Sequence, residues 1–456
     1  MQAVAERPES FVSTTNACKL CAPLGASLAF RGIAGAVPFL HGSQGCATYM
    51  RRYIISHFRE PMDIASSSLG EKQAIHGGGP NLKKGLLNVM RKYAPSLIGV
   101  ATTCLTETIG DDVPMILTEF RREFGDLPLP EIVRVSTPSY SGTHMEGFHA
   151  AVRATVEQVC LEKAAPRRTV NIMPGLVSAA DLRNLREACS AFGLPACILP
   201  DYSETLDGPS LPDYQTIPQG GARLEDIRAM GGALASLELG RTLGPLSTAG
   251  VSLLSRFATP LVSLGLPLGL RESDAFFAAL AEISGAPVPA RYEAERGRLI
   301  DAYVDGHKYV SGKRAVIYGE EDLVVGLTAF LAEIGIQPVL VASGGRGRGL
   351  EQAVREVCED LCRETPLVRE GADFFDIAGE AEGLAPDLMV GNSKGFRSAR
   401  SWGIPLVRVG FPIHDRFGGP RIPHLLYQGA QHLFDTVVNA LMEQKQLSTD
   451  IGYGYI

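Results

Sequence analysis

KRAVIYGEEDLVVGLTAFLAEIG (313–335) followed by QPVLVAS (337–343) is the stretch that decides the fold. A β-rich apolar run gives way to a glycine and a polar turn, then to a helical pattern, and QPVLVAS supplies the next strand. The same layout occurs twice more. PSLIGVATTCLTET (95–108) reads as a buried strand, LIGVATT, ending at Cys104; the acidic turn GDDVP (110–114) and the helical pattern MILTEFRREFG (115–125) follow it. TVNIMPGL (169–176) opens the other copy, with Ser178 and Asp181 as cap residues of a helix closed by Gly193 and ACILPD (196–201) as its next strand. DLMVGNS (387–393) and IPLVRVG (404–410) add further strand-like runs. Strand–helix–strand repetition predicts an α/β protein with parallel, doubly wound sheets. We divide it into three domains, 1–165, 166–305 and 306–456, with linkers near AAPRRT (164–169) and DGHKYVSGKR (305–314). GGRGRG (344–349) reads as a flexible, cationic surface loop.

The 456 residues exceed what one hydrophobic core supports, which agrees with several domains. Hydrophobic residues make up 45% and charged residues 20%, a well-packed globular composition. A net charge of −7 argues against nucleic acid as a partner. MQAVAERPES carries no secretory pattern, and no apolar run approaches the ~18 residues of a membrane span, so a cytoplasmic address without membrane association is expected.

Nine cysteines in such a compartment are thiols, metal ligands or catalytic groups rather than structural disulfides. Cys21 (CAPLGA), Cys46 (HGSQGC) and Cys104 (TTCLTET) each sit among small residues, and Cys46 and Cys104 lie just past strand-like runs. They are 25 and 58 residues apart, too far for a zinc ribbon or a ferredoxin run. Soft thiolates on separate loops suit an iron–sulfur cluster, although three is one short of the usual four, and buried structural thiols account for the same pattern. Cys18 and Cys21 form a C-x-x-C without the strand a redox motif needs before it. Cys160, Cys189, Cys197, Cys358 and Cys362 lie within helical or strand patterns and read as core residues. The P-loop, zincin and nucleophile-elbow signatures are absent.

Read together, CAPLGA (21–26), HGSQGCATYMRRY (41–53), HFREP (57–61), TTCLTETIGDD (102–112), TPSYSGTH (137–144), RESDAFFAALAEISGAP (271–287) and VRVGFPIHDRFG (407–418) resemble the β-type subunit of nitrogenase component 1 and its relatives. The resemblance runs in order along the whole chain. It implies three Rossmann-like domains and an [8Fe-7S] P-cluster shared with an α-type subunit, each chain giving three cysteines. By position, Cys21, Cys46 and Cys104 match those ligands, Ser139 the serine that joins an iron on oxidation, and Tyr49 an aromatic residue beside the cluster. Glu60, Asp301 and Asp305 match carboxylates that hold a divalent cation between two β-type subunits, with ordinary interface charges as the competing reading.

The resemblance further implies an oxidoreductase of α2β2 form. An ATP-dependent iron protein delivers electrons through the P-cluster to an iron–sulfur cofactor in the partner, where substrate is reduced; no catalytic residue is expected in this chain. Two departures bear on the subfamily: no long extension precedes Cys21, and CKLCAPLGASLAF resembles cofactor-assembly scaffold subunits. Retention of all three cysteines and the serine favours a reductase, for which methylthio-alkanes are the expected substrate. A cofactor-assembly scaffold and a dinitrogen-reducing β subunit are the alternatives.

Overall fold

The computed structural model describes residues 17–244, 246–347 and 349–449. The strands described are β1 (Ala36–His41), β2 (Ala65–Ser66), β3 (Leu97–Thr102), β4 (Glu131–Val135), β5 (Val170–Met173), β6 (Ala196–Ile198), β7 (Ala235–Leu239), β8 (Leu261–Leu264), β9 (Arg314–Gly319), β10 (Gln337–Ser343), β11 (Leu367–Arg369), β12 (Leu388–Gly391) and β13 (Leu406–Arg408). They form three sheets with orders β2-β1-β3-β4, β6-β5-β7-β8 and β11-β10-β9-β12-β13. Every pairing is parallel. Each order reverses near its middle, so all three are doubly wound, as the strand–helix–strand rhythm predicts. Helices cover both faces, and β1, β3, β5, β7 and β12 are buried along their whole length. Parallel strands of that kind are continuous apolar runs because neither face meets water.

The capping expected in the second unit is present: Ser178 and Asp181 form a capping box on the helix Ala179–Ala191. Asp181 does more than cap. Its other oxygen accepts the N–H groups of His424 and Leu425 at 2.8 and 2.9 Å, which ties the second sheet's helix to the start of the C-terminal helix Leu426–Leu447.

Two close approaches position the N-terminal part of the chain. The helices Ala22–Arg31 and His144–Val159 cross through Gly25 and Gly147, where a Cβ would lie 1.6 Å from the His144 carbonyl oxygen and 1.9 Å from that of Ala22. Only glycine permits backbones this near. The second approach corrects the reading of GGRGRG as a flexible surface loop. Gly344 and Gly345 are buried, and a Cβ on Gly344 would meet the Cys18 carbonyl group at 2.6 Å. Gly344 and Gly345 are therefore a seat for the chain at 17–19, while Arg346, Gly347 and Gly349 are exposed. Among the described residues, no helix is long and apolar enough to cross a membrane.

Candidate functional site

β1 and β3 are neighbours at the reversal of the first sheet, so the loops leaving their carboxyl ends must share one crevice. β1 ends at His41, and the chain turns through Gly42 into the helix Gln44–Phe58, capped by Ser43, whose hydroxyl accepts the Gly45 N–H at 3.3 Å. Cys46 lies in that helix's first turn. β3 ends at Thr102, and Cys104 begins the short helix Cys104–Ile109. The two loops are stitched together: the Thr103 N–H donates to the His41 carbonyl at 3.1 Å, and the Thr106 hydroxyl donates to the same oxygen at 2.9 Å. Cys21 arrives from elsewhere. It is the extended N-cap residue of the helix Ala22–Arg31, and the Gly25–Gly147 crossing holds that helix end beside the segment that precedes His144.

Ser139, in that segment, joins two of the three loops. Its N–H donates to the Cys104 sulfur at 3.2 Å, and its hydroxyl accepts the Ala22 N–H at 3.2 Å. The three cysteines are free and half-buried. The Cys46 thiol is pushed up, first by burial and then by the negative charge that Cys21 and Cys104 place near it, which puts all three within electrostatic reach of one another. Cys21 and Cys46 also sit at helix N-termini. Three soft donors brought this close suit a polynuclear, positively charged soft-metal group.

Beside them opens a cleft of about 810 Å³ lined by Cys21, Tyr49, Tyr53, Ser139, Lys394 and His414 among others. Tyr49 is half exposed one turn beyond Cys46, its ring 4.8 Å from that of Tyr53. The hydrogen bond with Tyr53, then burial, pushes its hydroxyl up to about 12, so it stays protonated at neutral pH. Cys21, Cys46, Cys104, Ser139 and Tyr49, picked from sequence, thus come together in one place.

The carboxylates do not. Glu60 lines a separate cavity of about 690 Å³ with Arg31, Asp63 and Glu204; burial and the charge of Asp207 raise its carboxyl against the pull of Arg421 and Arg31. Asp301 and Asp305 are exposed on the helix Ala290–Val310. Among the described residues, no three His, Cys, Asp or Glu side chains are grouped to hold a single metal ion. The C-x-x-C is also divided by the fold. Cys18 is buried against Val316, Tyr318 and Leu340 of the third sheet, and burial pushes its thiol up to about 12. Cys160 and Cys189 are core residues.

Sequence reading missed Lys394 in the cleft. Its signal is the turn GNSKG (391–395) directly after the buried run DLMV, at the carboxyl end of β12, where the third sheet reverses.

Residues 21–442 match the family described as nitrogenase component 1 type oxidoreductase. The nitrogenase molybdenum-iron protein beta chain of Clostridium pasteurianum is 35% identical over 94% of this chain and 93% of its own length. Its counterpart in Methanothermobacter thermautotrophicus is 34% identical over 97% and 96%. Among solved structures, one described as nitrogenase Cp1 at pH 6.5 superposes with a TM-score of 0.94 at 33% identity, covering 99% of this chain and 98% of that one.

Proposed function

This chain belongs to the nitrogenase component 1 family of oxidoreductases as a β-type member, and on that footing we propose that it is the β subunit of a dinitrogen-reducing nitrogenase. Its partners in this reading are an α-type chain, in an α2β2 complex, and an ATP-dependent iron protein. The observation that carries the reading is the meeting of Cys21, Cys46 and Cys104 on one partly open space bridged by Ser139. Three thiolates are half of what an [8Fe-7S] P-cluster shared between two chains requires. The rim of the cleft supports a partner there: Tyr49, Tyr140 and Phe396 are large apolar side chains left exposed around it.

Bound in this place, the cluster would supply reversible electron storage. The chain's own residues would do the rest. Cys21, Cys46 and Cys104 supply soft anionic donors, and the Ser139 N–H, aimed at the Cys104 sulfur, stabilises its charge. The Ser139 hydroxyl accepts the Ala22 N–H and would serve as a further oxygen donor to the cluster once Ala22 is released. Glu60, Asp301 and Asp305 are proposed as cation ligands only between two copies of this chain, since within one chain they do not meet.

Methylthio-alkane reduction was expected partly because no long extension precedes Cys21. That argument lapses: the clostridial chain, named a molybdenum-iron protein beta chain, is matched over 93% of its own length. Anaerobic purification with the α-type chain tests the reading. About eight irons per αβ pair at the interface and turnover of dinitrogen support it. A lone four-iron cubane without turnover makes the chain an assembly scaffold, and turnover of volatile organic sulfides but not dinitrogen restores the methylthio-alkane reading. Cys46→Ala should lose the interface iron; iron retained at wild-type content refutes the ligand assignment.

A further inference from the structure

Cys46 and Cys104 are fixed by the edge of one sheet, but Cys21 hangs on a strap, residues 17–22, whose two halves are tied to different sheets. Toward the third sheet, Ala17 bridges Asp373, and the Cys18 N–H donates to the Ala372 carbonyl at 3.2 Å. Gly344 backs the strap from below. Toward the first sheet, the His144 N–H donates to the Leu20 carbonyl at 2.9 Å, and the Ala22 N–H donates to Ser139. Between these anchors a lysine side chain reaches across. Lys394, in the turn after β12, donates from Nζ to the carbonyls of Ala17 at 3.0 Å and Lys19 at 3.3 Å. An ammonium has three donors, and these two carbonyls flank the buried Cys18 from either side. The same side chain lines the cleft with Cys21, Tyr49 and Ser139.

We propose that Lys394 is a positioning residue of this site: it clamps the strap so that Cys21 stays in register with Cys46 and Cys104, and it fixes a positive charge in the cleft wall. A hydrogen bond from a charged donor is stronger than a neutral one, and here it spans two parts of the fold that no chain connection holds together locally. A fixed cation near a redox group favours the more reduced state, so Lys394 also raises the potential of whatever cluster the cysteines hold. That second effect rests on the cluster reading; the clamp does not.

The test uses the anaerobically purified complex with Lys394→Met and Lys394→Arg. Hydrogen exchange at the Cys18 and Leu20 amides should rise about tenfold in Lys394→Met and return toward wild type in Lys394→Arg, which keeps a charged donor. The midpoint potential of the interface cluster should move negative in Lys394→Met and recover in Lys394→Arg. Strap exchange in Lys394→Met equal to wild type overturns the clamp. A potential unmoved in Lys394→Met, with iron content retained, overturns the electrostatic part. If the wild-type complex holds no interface iron, the cluster reading fails, while the exchange measurement still decides the role of Lys394.

Discussion

His57 couples the first sheet to the third through a neutral imidazole, and acid should loosen that joint by a predictable amount. The side chain is buried at the end of the helix Gln44–Phe58, with its ring edge-on to Phe58 at 4.6 Å and to Phe411 at 4.9 Å. Its Nδ1 accepts the Ile413 N–H at 2.9 Å, which requires that nitrogen to be unprotonated. Burial, opposed by the hydrogen bond with Ile413 and reinforced by the nearby Arg59, pushes its pKa down to about 3. In the unfolded chain the value is about 6.5. The folded value lies below the unfolded one, so the unfolded or locally opened chain takes up a proton first as pH falls. The stabilisation is therefore complete above about 6.5 and drains away between about 6.5 and 3. From pH 7 to pH 5 the loss comes to about 2 kcal/mol, or roughly 30-fold in the opening equilibrium. Asp415 adds almost no slope between pH 7 and pH 5, because its folded value, held down to about 2 by Arg408 and Ser393 against the cost of burial, and its unfolded value of about 3.9 both lie below that range. The assay is hydrogen exchange of the Ile413 amide at pH 7 and pH 5, corrected for intrinsic exchange, in wild type and His57→Gln. Glutamine keeps an acceptor for Ile413 but does not titrate. Wild-type protection should fall about 30-fold relative to the variant; parallel behaviour of the two proteins would refute the linkage.

Gly147→Ala drives a methyl group to 1.9 Å from the Ala22 carbonyl oxygen, so the helices Ala22–Arg31 and His144–Val159 must part. The expected cost is about 1–3 kcal/mol or more, read as a lowered thermal midpoint, with faster alkylation of Cys21 in the metal-free chain as the helix end shifts. Asp181→Ala removes the acceptor shared by the His424 and Leu425 N–H groups and the capping partner of Ser178. It should cost about 2–4 kcal/mol and expose the segment before Leu426–Leu447 to limited proteolysis; cleavage at the wild-type rate would contradict this account.

What the sequence discloses depends on how local the cause is. RAVIYG and LIGVAT are legible as strands because parallel strands covered by helices are apolar on both faces, and nothing distant is needed to see it. β7, ASLEL, is harder to see because Glu238 stands in its buried interior. Its carboxylate is satisfied by the Gly250 N–H at 2.7 Å and the Thr248 hydroxyl at 2.6 Å, partners that only the fold delivers. Cys46 and Cys104 are placed correctly by the rule that functional loops leave the carboxyl ends of strands. Cys18 is not, since the C-x-x-C spacing says nothing of the third sheet, far along the chain at Val316, Tyr318 and Leu340, that buries it. GGRGRG misleads for a related reason: composition reports freedom, whereas the fold uses the missing Cβ of Gly344 as room for another backbone.

The same distinction bears on how the proposed cradle fills. Two of its thiols rest on a sheet edge and are set as soon as β1 and β3 pair. The third depends on the strap reaching across to β10 and β12, so it is placed only when the third sheet has formed. Cys46 is held protonated by burial and by its two neighbours, so the bare chain resists having three thiolates at once. Metal ligation must therefore displace protons, and loading should weaken as pH falls. The exposed rim of Tyr49, Tyr140 and Phe396 carries no positive charge, and Lys394 in the cleft wall is already engaged with the strap carbonyls, so the thiolates need more counter-charge than the chain places beside them. That charge has to come from the metal, and the closure of the space from a second chain, so ligation and subunit docking are expected to be coupled steps rather than independent ones.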